Sequence, residues 1–289
     1  VGGVLSHSKG GRGNGRLLSD PGGYKEYQVA SGDRMLIDSH AHLDMQEFRE
    51  DLEDVLQRAL NGGITQIITV GIDTPSSVRA LELANRYDFI FSSIGYHPHN
   101  ALDADPGRLK ELGRLAREEK VVAWGEIGLD FFRLLSPREK QIEAFERQVE
   151  MSAEFGLPII VHDRDAHPEV LDILRKRGDK NNRGVIHCFS GDYELAMAFI
   201  DIGYYISIPG TVTYNNSIKV QDVACRVPIE RLLIETDSPF LAPVPKRGKR
   251  NEPLFVKHTA ASIAQLRGMD FEELAFKTSE NAKRLFGLK

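Results

Sequence analysis

Eight short runs rich in Val, Ile and Leu recur along the chain, at residues 35–39, 64–70, 89–94, 121–125, 158–161, 184–186, 204–208 and 232–234. Continuous apolar runs of this length suit strands buried on both faces of a parallel sheet. The segments between them carry helical spacing, most plainly at 136–155. There Ser136 and Glu139 are spaced as a capping box, Pro137 falls at the first helical position, and Gly156 and Pro158 follow the end. Ile142, Phe145, Val149 and Ser152 step along one face of that helix. Strand and helix in alternation allow a doubly wound sheet or a closed barrel. The count of eight predicts an α/β fold of the (β/α)8 TIM-barrel type, and residues 35–289 have the length of about 250 expected of one such domain.

Six potential metal ligands stand at or just past the ends of these runs: His40, His42, Glu126, His162, His187 and Asp237. A barrel gathers the ends of many strands at one rim, whereas a doubly wound sheet concentrates its site at one switch point. Residues two apart on a strand point to the same side, so His40 and His42 can converge on one ion with only Ala41 between them. Six ligands exceed what one ion needs if a position is to stay open for water or substrate, which predicts two divalent ions. A carboxylate can bridge two ions through its two oxygens. Glu126, midway in the order, is the expected bridge, with His40, His42 and Asp237 around one ion and His162 and His187 around the other. Two such ions and two carboxylates leave about +2 at the site, a focus for phosphate. Mixed nitrogen and oxygen ligation favours Zn, Mn or Co over Mg.

Residues 1–34 differ in kind. They hold nine glycines, no apolar periodicity and no hydrophobic stretch of signal-peptide length, and read as a flexible leader. Five cations against three anions give the leader +2, so the rest of the chain holds −7 of the net −5. That balance excludes a generic polyanion binder of the basic-patch type. Two cysteines, Cys188 and Cys225, are too few for a disulfide framework. With no run long enough to span a membrane, a cytoplasmic location and no membrane partner are expected.

The strings Asp38-Ser39-His40-Ala41-His42-Leu43-Asp44, Gly95-Tyr96-His97-Pro98-His99, Gly125-Glu126-Ile127-Gly128-Leu129-Asp130, Val161-His162 with Arg164, His187-Cys188-Phe189-Ser190-Gly191 and Glu235-Thr236-Asp237-Ser238-Pro239 resemble the TatD family of metal-dependent deoxyribonucleases, a branch of the amidohydrolase-like barrels. The resemblance runs from Met35 nearly to the C-terminus and includes the 245–253 segment. It implies the same six ligands, and hydrolysis of DNA phosphodiesters, commonly as a 3′ exonuclease. Single-stranded or end-accessible DNA is then the expected substrate, with no obligate protein partner. Many amidohydrolase-like barrels bridge their metals with a carbamylated lysine; here Glu126 holds that strand end and no lysine lies beside it.

The expected mechanism is metal-assisted attack of water on phosphorus, with Asp237 accepting the proton. Arg164, two residues past His162, is expected to fork to phosphate, and His97 and His99 to contact phosphate or leaving group. Glu235 is expected to orient a ligand or water. The run Lys246-Arg247-Gly248-Lys249-Arg250 follows the eighth strand, where barrels often bind phosphate, and Arg247 is its expected contact, with Asn251 and Glu252 adding polar ones. Cys188 and Trp124 read as packing residues, His258 as a helical residue without special role, and His167 as a minor site candidate. The same paired metals would attack a carbonyl, so an ester or amide hydrolase such as a D-aminoacyl-tRNA deacylase is the alternative.

Overall fold

The computed structural model describes residues 36–177 and 183–289; the leader and Met35 lie outside the described residues. Strands and helices alternate as β1 (Leu36–Ala41), α1 (Leu52–Asn61), β2 (Ile64–Val70), α2 (Thr74–Arg86), β3 (Ile90–Ile94), α3 (Pro106–Leu115), β4 (Val121–Asp130) and α4 (Arg138–Phe155). The second half continues as β5 (Ile159–Arg164), α5 (His167–Arg177), β6 (Gly184–Ile186), α6 (Tyr193–Asp201), β7 (Tyr205–Ile208), α7 (Ile218–Arg226), β8 (Leu232–Ile234), α8 (Val256–Arg267) and α9 (Phe271–Phe286). All seven ladders are parallel and the strand order is sequential from β1 to β8. The ring closes at its C-terminal end, where the His42 amide donates to the Ser238 carbonyl (2.8 Å) and the Asp237 amide to the His40 carbonyl (2.9 Å). This is the TIM barrel expected from the eight apolar runs. Among the described residues no helix is long and apolar enough to cross a membrane.

One end of the barrel is sealed by hydrophobic contact. Ile37, Val122, Ile160, Val185 and Leu233, each the second residue of its strand or close to it, pack in one cluster with Ala282, Leu285 and Phe286 of α9. Fully burying such a side chain stabilises the fold by roughly 1.5–3 kcal/mol. The apolar early halves of the strands therefore build a plug at the N-terminal end, and polar residues collect at the opposite mouth.

Local signals were obeyed unevenly. Asp73 caps α2 by accepting from the Ser76 amide (2.7 Å), and Gly156 ends α4 in the left-handed region at φ 68°. The capping box expected at Ser136 and Glu139 does not form: Pro137 is the N-cap, without a side-chain bond, and the Ser136 hydroxyl instead donates to the His99 carbonyl (2.8 Å). A tertiary acceptor on the neighbouring loop wins over the local one. Three strands also run further than their apolar runs, β1 only to Ala41 and the other two by more. β4 extends to Asp130 and β5 to Arg164, because Gly128, Leu129 and Asp130 pair with His162, Asp163 and Arg164.

Candidate metal centre

β1 delivers two imidazoles to the mouth. His40 and His42 are both buried, and their Nε2 atoms lie 3.3 Å apart, aimed at a common point as their spacing predicts. The ladder between β1 and β2 is irregular between Asp38 and Ala41, a local departure of the kind that re-aims side chains. The orientation of His42 is held by its Nδ1, 3.2 Å from the Val70 carbonyl oxygen.

Glu126 stands at the centre. Its Oε2 lies 3.4 Å from His40 Nε2 and 3.7 Å from His42 Nε2. Its Oε1 lies 2.8 Å from His162 Nδ1, 2.9 Å from His187 Nε2 and 3.5 Å from His97 Nε2. Each carboxylate oxygen thus faces its own set of imidazoles. Strict alternation would not give this result. Trp124, two residues earlier, packs outward against Phe155 and donates to Gln148 of α4 (3.3 Å), and Glu126 should share its face. The irregular pairing of β4 with β5 between Trp124 and Ile127 turns Glu126 inward. Beyond it the two backbones close up at Gly128 (φ 142°), where a Cβ would sit 2.0 Å from the His162 carbonyl oxygen. Only glycine fits there.

Asp237 completes the ring, with Oδ1 3.4 Å from His42 Nε2 and 3.8 Å from His40 Nε2. It occupies the left-handed region at φ 56°, a conformation Asp adopts at lower cost than most residues. Its segment is pinned by buried Asp38, which accepts from the Thr236 amide (2.9 Å) and hydroxyl (2.6 Å). Burial pushes the Asp38 carboxyl up to about 8 against those bonds.

Burial opposes charge on every group here, and the neighbours decide the outcome. Around Glu126 it is overcome by the imidazoles, His187 and His97 foremost, which hold the carboxyl well below the usual range. Asp237 is also lowered against burial, chiefly by its bond with His42. His187 is raised well above an ordinary imidazole because the Glu126 and Glu235 charges outweigh burial. For His97 burial dominates and favours the neutral ring. Burial, reinforced by Asp237, pushes the Cys188 thiol far up, which favours the protonated thiol.

Among the described residues, three groups of donors have ligating atoms within 4.8 Å of one another: His40, His42 and Glu126; His40, His187 and Glu235; and His97, Glu126 and His162. Five of the six expected ligands fall in these groups and Asp237 adjoins them through His42 and His40, while His97 and Glu235 join them more closely than the sequence reading placed them. Glu235 Oε1 lies 3.3 Å from His187 Nδ1 and accepts from the Cys188 amide (2.6 Å). Asp130 was passed over in the sequence reading. Fully buried, it sets Oδ2 2.8 Å from His99 Nε2 and 3.3 Å from His162 Nε2. Its signal in the sequence is its place at the end of the string from Gly125 to Asp130, four residues beyond Glu126, and the prolonged β4 is what brings it to the mouth. His167, the minor candidate, pairs instead with Asp163 (2.8 Å).

The basic run after β8 divides. Arg250 bonds both oxygens of Asp51 (2.8 and 2.6 Å), and Glu252 pairs with Arg58 (2.7 Å). Asn251 is buried, donating to the Thr236 and Phe240 carbonyls. These three are occupied by the fold, which corrects the expectation of polar substrate contacts from Asn251 and Glu252 and narrows the run to its first part. Arg247 remains exposed, its guanidinium 4.4 Å from the centre of the Tyr214 ring. Arg164 is likewise exposed, stacked 4.2 Å over the Phe132 ring.

Imidazoles and carboxylates converging at the C-terminal mouth of a parallel barrel, with hard and borderline donors suited to divalent cations, define a metal-dependent hydrolase of the barrel type. The profile of the TatD related DNases matches residues 37–287, and the chain belongs to the TatD family. It is 46% identical over 252 residues to the metal-dependent hydrolase YabD of Bacillus subtilis, covering 87% of this chain and 99% of that one. It is 38% identical over 258 residues to the 3′-5′ ssDNA/RNA exonuclease TatD of Citrobacter koseri, covering 88% and 99%. Among solved structures, the TatD homologue YjjV of Escherichia coli superposes with a TM-score of 0.83 at 32% identity, over 88% of this chain and 98% of that one.

Proposed function

We propose that this hydrolase cleaves phosphodiester bonds at the 3′ end of single-stranded DNA, using two divalent cations. The observation that carries the reading is the division of Glu126, one oxygen toward His40 and His42 and the other toward His162 and His187. Asp237 and the first pair would hold one cation and the second pair the other, Glu126 serving both. When bound, such cations would acidify water and offset charge developing on phosphate. Relatives named as ssDNA/RNA exonucleases support a nucleic-acid substrate.

The chain's own groups then have distinct tasks. Asp237, kept ionised by its bond with His42, accepts a proton from the attacking water at its carboxylate. His97, neutral at ordinary pH and 3.5 Å from Glu126, and His99, oriented by Asp130, would hold the scissile phosphate or the leaving group. Arg164 and Arg247, both exposed and without a carboxylate partner among the described residues, would hold flanking phosphates.

The test is metal-depleted protein given 3′- or 5′-labelled single-stranded DNA, with Mg, Mn, Zn or Co restored in turn. Stepwise shortening from the 3′ end is expected, falling by at least about a hundredfold in Asp237→Asn. Glu126→Ala should reduce bound metal from two equivalents to one or fewer. Intact DNA with every metal, together with cleavage of an aminoacyl ester, would replace this reading with that of a carbonyl hydrolase.

A further inference from the structure

Among the described residues, two exposed aromatic rings stand beside the candidate metal ligands without any role in the centre. Phe132 is 60% exposed and lies two residues beyond Asp130, the carboxylate that touches His99 and His162. Arg164 spreads over one face of its ring at 4.2 Å, and the register of β4 with β5 explains the pairing: Arg164 is the partner of Asp130. Phe240 is 46% exposed. Its amide donates to the Asp237 carbonyl (2.9 Å), and its ring centre lies 6.2 Å from that of His42.

The two rings occupy opposite sides of the mouth. Phe132 belongs to the β4 and β5 side and Phe240 to the β8 and β1 side, half a turn apart in a sequential eight-stranded barrel. Leaving a phenylalanine in water forgoes the stabilisation of burial, and the guanidinium stack holds Phe132 in place while the ring stays 60% exposed. An occupant of this mouth must offer flat π faces to the rings and anionic groups to Arg164 and the centre. Nucleobases on a phosphate chain offer both, and stacking on aromatic side chains is how single strands are held without regard to sequence. A duplex has its base faces already stacked on one another.

We propose that Phe132 with Arg164 on one side, and Phe240 on the other, are stacking faces for the bases nearest the scissile bond of a single-stranded nucleic acid. The proposal rests on the nuclease reading above and adds the source of strand selectivity. Leu134 and Leu135, also exposed beside Phe132, extend the apolar surface, but they have no π face and lie on the side away from the ligands in sequence.

The experiment measures binding of labelled oligonucleotides by fluorescence anisotropy in the Asp237→Asn background, where the substrate survives. Four ligands are compared: single-stranded DNA, RNA of the same sequence, the DNA with its two 3′-terminal bases replaced by abasic units, and a blunt duplex of the DNA sequence. Removing the bases should weaken binding about tenfold. Phe132→Ala should weaken the intact strands by a similar factor, and the two changes together should cost no more than either alone. Phe132→Trp should restore binding, and a blunt duplex should not respond to Phe132→Ala. Phe240→Ala should show the same dependence on bases. Equal binding of abasic and intact strands would overturn the proposal, as would losses from Phe132→Ala and base removal that multiply; either outcome would leave the rings to a protein partner. If the wild-type protein neither binds nor shortens any strand with any metal, the nuclease reading itself falls and the proposal with it.

Discussion

Replacing Asp130 by Asn tests whether the carboxylate behind His162 and His99 positions the centre. The side chain is fully buried, and Asn keeps its size and one acceptor for the Arg133 amide, which Asp130 Oδ1 now takes at 2.7 Å. What Asn cannot do is present an anionic acceptor to both His99 Nε2 (2.8 Å) and His162 Nε2 (3.3 Å). The carboxyl is held well below its usual range, against burial, by the bond with His162, the Arg133 amide and the bond with His99, so it is ionised at neutral pH. A hydrogen bond to a charged group contributes about 1.5–3 kcal/mol. Carboxylates that support a metal-ligating histidine are typically worth about 10–100-fold in metal affinity or activity, which at about 1.4 kcal/mol per tenfold spans the same range. Asp130→Asn should therefore weaken binding of one metal equivalent by about 10–100-fold in competition with a chelating indicator, with a matching fall in kcat/KM and an unchanged far-UV spectrum. Metal affinity and kcat/KM within about twofold of wild type would refute the positioning role; a collapsed fold would make Asp130 a structural residue instead.

Gly128→Ala should destabilise the protein by more than about 2 kcal/mol in denaturant unfolding, since both the backbone conformation and the contact with the His162 carbonyl resist a Cβ. Arg250→Ala should lower stability by about 1 kcal/mol while leaving DNA affinity intact, and Arg247→Ala should do the reverse, because Arg250 is bound to Asp51 and Arg247 is exposed. His167 has a raised pKa, chiefly from its bond with Asp163. The folded state thus holds its proton more tightly: the contribution is full below about pH 6.5, the unfolded value, and is lost as pH rises through the folded pKa. The Tm gap between wild type and His167→Gln should be widest in mildly acid buffer and close on the alkaline side; a constant gap would count against the pairing.

Much of the centre was legible from residue types and order. His40 and His42 converge because residues two apart share a side, and the eight apolar runs became eight sequential strands whose ends meet at one mouth. Candidate ligands announced by local spacing or by position after an apolar run could be brought together from the sequence alone, since burial of those runs dictates where their ends must lie. The same logic failed for Ser136, whose hydroxyl found the His99 carbonyl, and for Arg250 and Asn251, whose partners are Asp51 and the Thr236 and Phe240 carbonyls. Charge and hydrogen-bonding capacity are written in a sequence, but the partner that satisfies them is chosen among groups far apart along the chain.

The sequence by itself determined the barrel, the order of its candidate ligands and the mixture of nitrogen and oxygen donors, because hydrophobic periodicity and side-chain chemistry are local properties. Only the tertiary structure decided that Glu126 faces inward, that Asp130 stands behind His162 and that Phe132 carries Arg164 at the rim. All three depend on the pairing of β4 with β5. An irregularity between Trp124 and Ile127 reverses the side-chain alternation, and the glycine contact at Gly128 lets the two strands run on together. A shift of one residue in register turns a side chain from one face to the other, and register is set by the neighbouring strand.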